Sequence, residues 1–212
     1  MYEGTGKTAI FVVQSAWRDF ESLPENAEEA PLKLGMYFRE RGIRFSHFCT
    51  SLSPKAEKTG LCVLQGCGQE DLFQRRFQYH EFSSPGYDRE LPSDLRVRLR
   101  DRAEELGISV PKCFITAPEF REILVAKANR AYAKMNILAR VFNEKATLVL
   151  GHSGVIEPAR ARSWDLQPWD VDDEWFLSPL DHIVFEYENL DGGTEQIVSL
   201  DFPFADLDKY TI

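Results

Sequence analysis

The stretch Ala146-Thr147-Leu148-Val149-Leu150-Gly151-His152-Ser153-Gly154 decides the fold. Five residues, all apolar or β-branched, run into a turn in which two glycines flank His152 and Ser153, and Val155 to Arg162 then opens a helix. An unbroken apolar run bounded by turn residues is the pattern of a strand buried on both faces. In open α/β sheets ligands gather at the carboxyl ends of such strands. The helix start that follows offers free N–H groups and a positive dipole end, which suits an anion. Position alone therefore makes His152 a candidate site residue.

Working outward, Lys7 to Gln14 (KTAIFVVQ) reads as a second buried strand, and the polar Ser15 to Glu29 as a loop. Ala30 to Gly42 has Leu32, Leu34, Tyr37 and Phe38 at helical spacings, with Gly42 where a C-cap falls. Ile43 to Cys49 reads as a strand and Pro54 to Leu64 as a short helix. Gln65 to Pro92, rich in Gly and Pro and poor in periodicity, reads as a long loop, a feature often tied to function. Asp94 to Leu106 predicts a charged helix, and Pro118 to Asn143 a longer one. His182 to Glu188 and Glu195 to Leu200 alternate like strands around Asp191-Gly192-Gly193, which points to a late hairpin or two edge-side strands. Strands alternating with helices indicate an α/β sandwich.

Composition narrows the function classes. The chain has 212 residues, 43% of them hydrophobic, enough for one domain with a core of its own. The formal net charge of -9 argues against nucleic acid and against an anionic membrane surface. No apolar run approaches the roughly 20 residues of a membrane span, and Met1 to Lys7 lacks the pattern of a signal peptide. Cys49, Cys62, Cys67 and Cys113 have no zinc-type spacing and read as reduced thiols, which suits the cytoplasm.

Several local patterns have competing readings. Gly4-Thr5-Gly6-Lys7-Thr8 looks like the end of a P-loop, but it precedes a strand instead of following one, and Met1 stands where the first glycine is needed. Ser153 in Gly-His-Ser-Gly suggests a serine nucleophile, yet Val155 breaks the Gly-x-Ser-x-Gly elbow, and Asp172 or Asp173 with His182 would have to complete the triad. In Thr50-Ser51-Leu52-Ser53-Pro54-Lys55-Ala56-Glu57-Lys58-Thr59, Lys55 sits in a first helical turn, against the dipole, and a ligand facing it would account for that. Trp164, Trp169, Trp175 and Phe176, with Tyr79, Phe82 and Tyr87, read either as an apolar lid over the pocket or as core and interface.

The order FVVQSAW, LKLGMYFRERGI, TSLSPKAEKT, a long helix and TLVLGHSGVIE resembles the histidine phosphatase superfamily, the phosphoglycerate-mutase-like proteins, from about Thr8 to Ile197. The resemblance implies a three-layer α/β/α sandwich on a mostly parallel sheet, as one domain over residues 1–212. Residues 65–92 would be a loop or insertion and 164–212 a C-terminal segment with late strands. It also implies site roles. In that family the first strand ends in Arg-His-Gly, whose His becomes phosphorylated; here Gln14-Ser15-Ala16 occupies the place. The family's Ser-Ser-Pro-x-x-Arg-Ala-x-x-Thr segment matches with Lys55 for the phosphate-binding Arg and with Thr59 kept. His152 matches the second pocket His, with Ser153 in place of Gly, and Glu81 is the nearest candidate for the proton-donating carboxylate.

These departures bear on chemistry. Phosphoryl transfer through the enzyme needs the imidazole nucleophile. Lysine keeps a charge but loses the guanidinium fork, and each missing electrostatic group costs about 3 kcal/mol of transition-state stabilisation by analogy with oxyanion-hole donors. The expectation is a fold relative without working phosphatase or mutase activity. It would bind a small phosphate- or carboxylate-bearing or partly apolar ligand through Gln14, Ser15, Lys55, Thr59 and Ser153, or act as a scaffold, with no cofactor or metal and with homo-oligomerisation left open. The alternatives are a diverged enzyme using His152 for proton transfer, a weak phosphatase, and, more remotely, a serine hydrolase using Ser153.

Overall fold

The structure, a computed structural model, describes residues 6–16, 28–85, 91–169, 176–190 and 193–202, the last of these and 189–190 by backbone alone. The elements are β1 (Lys7–Gln14), α1 (Glu29–Glu40), β2 (Phe45–Thr50), α2 (Pro54–Cys67), α3 (Asp71–Gln74), β3 (Phe77–Gln78), α4 (Ser93–Leu106), α5 (Val110–Thr116), α6 (Arg121–Val141), β4 (Ala146–Gly151), α7 (Ile156–Ser163), β5 (His182–Leu190) and β6 (Gly193–Phe202). They build a six-stranded sheet in the order β3-β2-β4-β1-β5-β6. β3, β2, β4 and β1 pair in parallel, while β5 runs antiparallel to both β1 and β6. The sheet is thus mostly parallel, and the late strands form the expected hairpin.

Every residue of β4 is buried, and so are six of the eight in β1. These are the central strands, covered on both faces, which is why their sequences run continuously apolar. One face carries α1 and α2 through Phe11, Val13, Leu34, Phe38, Val63 and Leu148. The other carries α6 and α7 through Ile10, Val12, Ala131, Met135, Val149 and Ile156. The result is the three-layer α/β/α sandwich. A third cluster, with Leu99, Phe114 and Leu124, packs α4 and α5 onto the start of α6. No helix among the described residues is long and apolar enough to cross a membrane.

Three expectations need correction. Residues 65–92 are not one long loop. α2 continues to Cys67, α3 follows, and β3 pairs with Cys49 and Thr50 of β2. Gly66 suggested a break, but it serves a close approach: a Cβ there would lie 2.1 Å from the Leu32 carbonyl oxygen, so α1 and α2 can touch only with no side chain at that point. β3 is two residues long, too short for any period to register. Its segment is tied down by Arg76, which donates to Glu57 at 2.9 Å, and by the Tyr79 N–H, which donates to the Thr50 carbonyl at 2.8 Å. The second correction is that the long helix begins at Arg121, Pro118–Phe120 forming a separate 3-10 turn. The third is α5, which sequence patterning missed. Its Ser109 cap accepts from the Lys112 N–H, and its Cys113, Phe114 and Ile115 are buried in sequence rather than at helical intervals.

Candidate active site

The site follows from strand register. β1, β4 and β2 lie side by side and end level: Gln14 is opposite Gly151, and Thr50 opposite Leu150. The pairing continues one step past the strands, since the Ser15 N–H donates to the Gly151 carbonyl at 3.1 Å and the Ser51 N–H to the Leu150 carbonyl at 2.9 Å. Ser15, Ser51 and His152 are therefore brought together by the sheet itself, at the carboxyl ends of its parallel strands.

His152 Nε2 lies 3.0 Å from Ser51 Oγ, and the Ser53 N–H donates to the same hydroxyl at 3.3 Å. Ser51 is wholly buried. Burial, then the positive charges of Lys55 and Lys127, hold the His152 imidazole down at about 4, so it is neutral at physiological pH. The charge of Lys55 is thus felt at His152.

At the end of β1, Ser15 is buried and its Oγ lies 3.5 Å from Thr59 Oγ1. Thr59 donates to the Lys55 carbonyl at 2.9 Å and accepts from the Ala16 N–H at 3.2 Å. With Thr59 donating to the Lys55 carbonyl, the 3.5 Å contact with Ser15 leaves Thr59 Oγ1 as an acceptor. Thr59 is the latch that joins the end of β1 to the start of α2. Gln14 is partly buried, and its Oε1 is enclosed without a hydrogen-bond partner.

The turn after β4 departs from expectation. The N–H of Gly154 is already taken by Glu157, fully buried in the first turn of α7. Its carboxylate accepts from Ser153 Oγ at 2.7 Å, the Gly154 N–H at 2.7 Å and the Leu177 N–H at 3.2 Å. The Val155 and Ile156 N–H groups donate to the His152 carbonyl at 3.3 and 3.4 Å. Ser153 therefore directs its hydroxyl hydrogen at Glu157. It is also no triad nucleophile, since His182 sits over Phe38 and Phe11 with ring centroids 5.1 and 6.5 Å away, in the layer of α1 and α2. Asp172 and Asp173 lie outside the described residues.

Glu81 occupies a 3-10 turn, His80–Phe82, whose Phe82 reaches Gly151, so it sits at the right end of the sheet. Its carboxylate pairs with Lys134 at 3.0 Å and approaches His80 at 3.5 Å. That engages the group the resemblance offers as proton donor. The aromatic lid reduces largely to core. Phe82 is buried, Tyr79 packs edge-on against it at 6.2 Å, and Trp169 and Phe176 pack on the α4–α5 cluster. Trp164 is half exposed beneath Arg160; Tyr87 and Trp175, like Gly4 and Thr5, lie outside the described residues. A separate shallow cavity of about 340 Å³ lies on α4, where Arg102 is already paired with Glu105 and Glu119 at 2.7 and 3.3 Å.

Two residues that act on His152, one by a hydrogen bond and one by its charge, escaped sequence reading. Ser51 lay inside the quoted motif, and its alignment beside His152 needed the β2–β4 register. Lys127 is 1% exposed within α6, and a lysine at an otherwise apolar stripe position was the signal that could have found it.

A phosphoglycerate mutase from Bacillus anthracis superposes with a TM-score of 0.62 over 96% of either chain, at 14% identity. The chain has the phosphoglycerate-mutase-like fold. A mycobacterial glucosyl-3-phosphoglycerate phosphatase in complex with VO3 is similar over 90% of this chain and 97% of its own, with a TM-score of 0.59 and 11% identity. A phosphoserine phosphatase variant from Entamoeba histolytica, with a histidine replaced by alanine and phosphoserine bound, matches over 91% and 96% with a TM-score of 0.53 and 11% identity. No family model and no curated protein matches the sequence.

Proposed function

We propose that this chain binds a small phosphate-bearing ligand at the ends of β1, β2 and β4 and does not turn phosphomonoesters over. The observation that carries this reading is the Ser15–Thr59 hydroxyl pair where the fold's enzymes would need a nucleophile. A hydroxyl becomes an effective nucleophile when a base takes its proton, and the side chain beside Ser15 Oγ is another hydroxyl, not a base. Binding groups remain: Lys55 supplies charge beside a neutral imidazole, and Gln14 supplies an enclosed amide. The phosphoserine complex of a histidine-to-alanine variant in this fold supports the view that ligand binding can outlast the loss of a histidine.

The test pairs two measurements on the purified chain. Calorimetry with inorganic phosphate should show binding that His152→Ala and Lys55→Met weaken. Incubation with p-nitrophenyl phosphate should release no nitrophenol above background. Turnover that disappears in Ser15→Ala would overturn the non-catalytic reading. A second reading, an enzyme that uses His152 as a general base, is disfavoured by the same burial: an imidazole held down at about 4 is a weak proton acceptor at neutral pH.

A further inference from the structure

We infer that Ser51 is a positioning residue that locks His152 as the Nδ1–H tautomer, so that the ring meets a ligand as a hydrogen-bond donor; this rests on the phosphate-binding reading above. A neutral imidazole carries one hydrogen, on Nδ1 or on Nε2, and the other nitrogen accepts. The partner of one nitrogen decides the state of the other. His152 Nε2 lies 3.0 Å from Ser51 Oγ. That hydroxyl has one hydrogen to give and two lone pairs, and it already accepts from the Ser53 N–H at 3.3 Å.

The two tautomers treat Ser51 differently. With the hydrogen on Nε2, Ser51 Oγ accepts twice, from His152 and from Ser53, and its own hydrogen has no acceptor among the described residues. Ser51 is wholly buried, so that hydrogen bond, left unmade, costs the desolvation of its donor. With the hydrogen on Nδ1, Ser51 donates to Nε2 and accepts from Ser53, and all three groups are satisfied. The second form is favoured by about tenfold or more. Neither partner can turn away easily. The Ser51 N–H donates to the Leu150 carbonyl at 2.9 Å, and the Val155 and Ile156 N–H groups donate to the His152 carbonyl. The charges of Lys55 and Lys127 oppose a second proton on the ring. His152 is partly exposed, while its Nε2 is turned to a wholly buried partner. A polar contact between ring and ligand therefore goes through Nδ1–H, which donates and cannot accept. A phosphate oxygen suits that nitrogen; the hydrogen of a ligand hydroxyl or ammonium does not.

Long-range proton–nitrogen NMR correlations of the wild-type chain at neutral pH read the tautomer directly and need no variant. His152 Nε2 should resonate as an accepting, pyridine-type nitrogen and Nδ1 as a pyrrole-type one, and inorganic phosphate should move Nδ1 more than Nε2. Ser51→Ala removes the donor, and the ring should return toward the balance of a histidine in water, where the Nε2–H form is the more common. With the competent tautomer down to roughly a fifth, phosphate affinity by calorimetry should fall about fivefold. Ser51→Thr keeps the hydroxyl and should keep both the wild-type spectrum and the affinity. A pyrrole-type Nε2 in the wild type, or an unchanged His152 spectrum in Ser51→Ala, overturns the role of Ser51. A changed spectrum with unchanged phosphate affinity overturns the contact between ring and ligand. The expected spectrum in a wild type that binds no phosphate overturns the phosphate-binding reading and leaves the tautomer standing.

Discussion

Two helices begin at the carboxyl ends of the parallel strands, α2 after β2 and α7 after β4, and they are finished in opposite ways. α7 carries its own anion: Glu157 is buried at its start and accepts from Ser153, Gly154 and Leu177. α2 begins with Pro54 and a cation, Lys55, and its Ser53 cap makes no side-chain hydrogen bond. A helix start after a strand is an anion site only when the protein has not already filled it. The start of α7 is thus closed by Glu157, and of the two helix starts only that of α2 carries a cation.

Acidification should set the two turns against each other and produce the largest effect. His152 is lowered from 6.5 to about 4 and the buried His182 to about 3, both chiefly by burial. Their folded values lie below the unfolded ones, so the unfolded chain binds more protons in this window. Stability is then fully present above about pH 6.5 and is lost as pH falls toward 4 and 3, by a few kcal/mol per group at about 1.4 kcal/mol per unit. Glu157 is raised by burial, so it acts with the opposite sign: it favours the folded state at low pH and gives this up as pH rises. Urea unfolding across pH 4 to 6.5 should show a steep decline in the wild type and a shallower one in His152→Gln; equal slopes would remove His152 from the account.

Glu157→Ala breaks the closed turn directly. It leaves one hydroxyl, one buried N–H and one partly buried N–H without their acceptor, and about 3 kcal/mol of stability should be lost. Glu157→Gln keeps an acceptor oxygen and should cost about 1 kcal/mol. A denaturation midpoint for the Ala variant equal to wild type would mean that the turn is held some other way. Gly154→Ala probes the same turn more gently. Gly154 has φ +84, and a Cβ there would meet Pro111 at 3.1 Å and Pro85 at 3.3 Å. About 1 to 2 kcal/mol should be lost, since an L side chain at positive φ is strained.

The same contrast explains what could be read from the sequence. Runs such as KTAIFVVQ and ATLVL announced themselves, because central strands must be apolar on both faces; β1 matches its expected span residue for residue. His152 was visible because it follows such a run. What stayed hidden depends on partners distant in sequence. Gly66 looks like a break until Leu32 of α1 is seen against it. Glu157 looks like an ordinary first-turn acid until Leu177 closes over it, and then it reverses the meaning of the Gly-His-Ser-Gly turn. Ser51 joins His152 across 101 positions through strand register alone.

The smallest effect, and the one that isolates the open helix start, is at Lys55. Lys55→Met removes a charge next to the imidazole without touching the Thr59 latch, which uses only the Lys55 backbone carbonyl. Phosphate affinity should fall about tenfold, or ~1.4 kcal/mol, while thermal stability stays near wild type, because a half-buried lysine at a helix N-terminus opposes the dipole. Lys55→Arg should restore binding and can exceed wild type, since the planar guanidinium grips a phosphate through two donors. The His152 titration, followed by NMR, supplies a reading that simple loss of packing does not move: with Lys55 gone the imidazole should titrate higher than about 4. If binding falls while that titration stays fixed, Lys55 acts on the ligand from outside the pocket, and the two helix starts differ less than their sequences suggest.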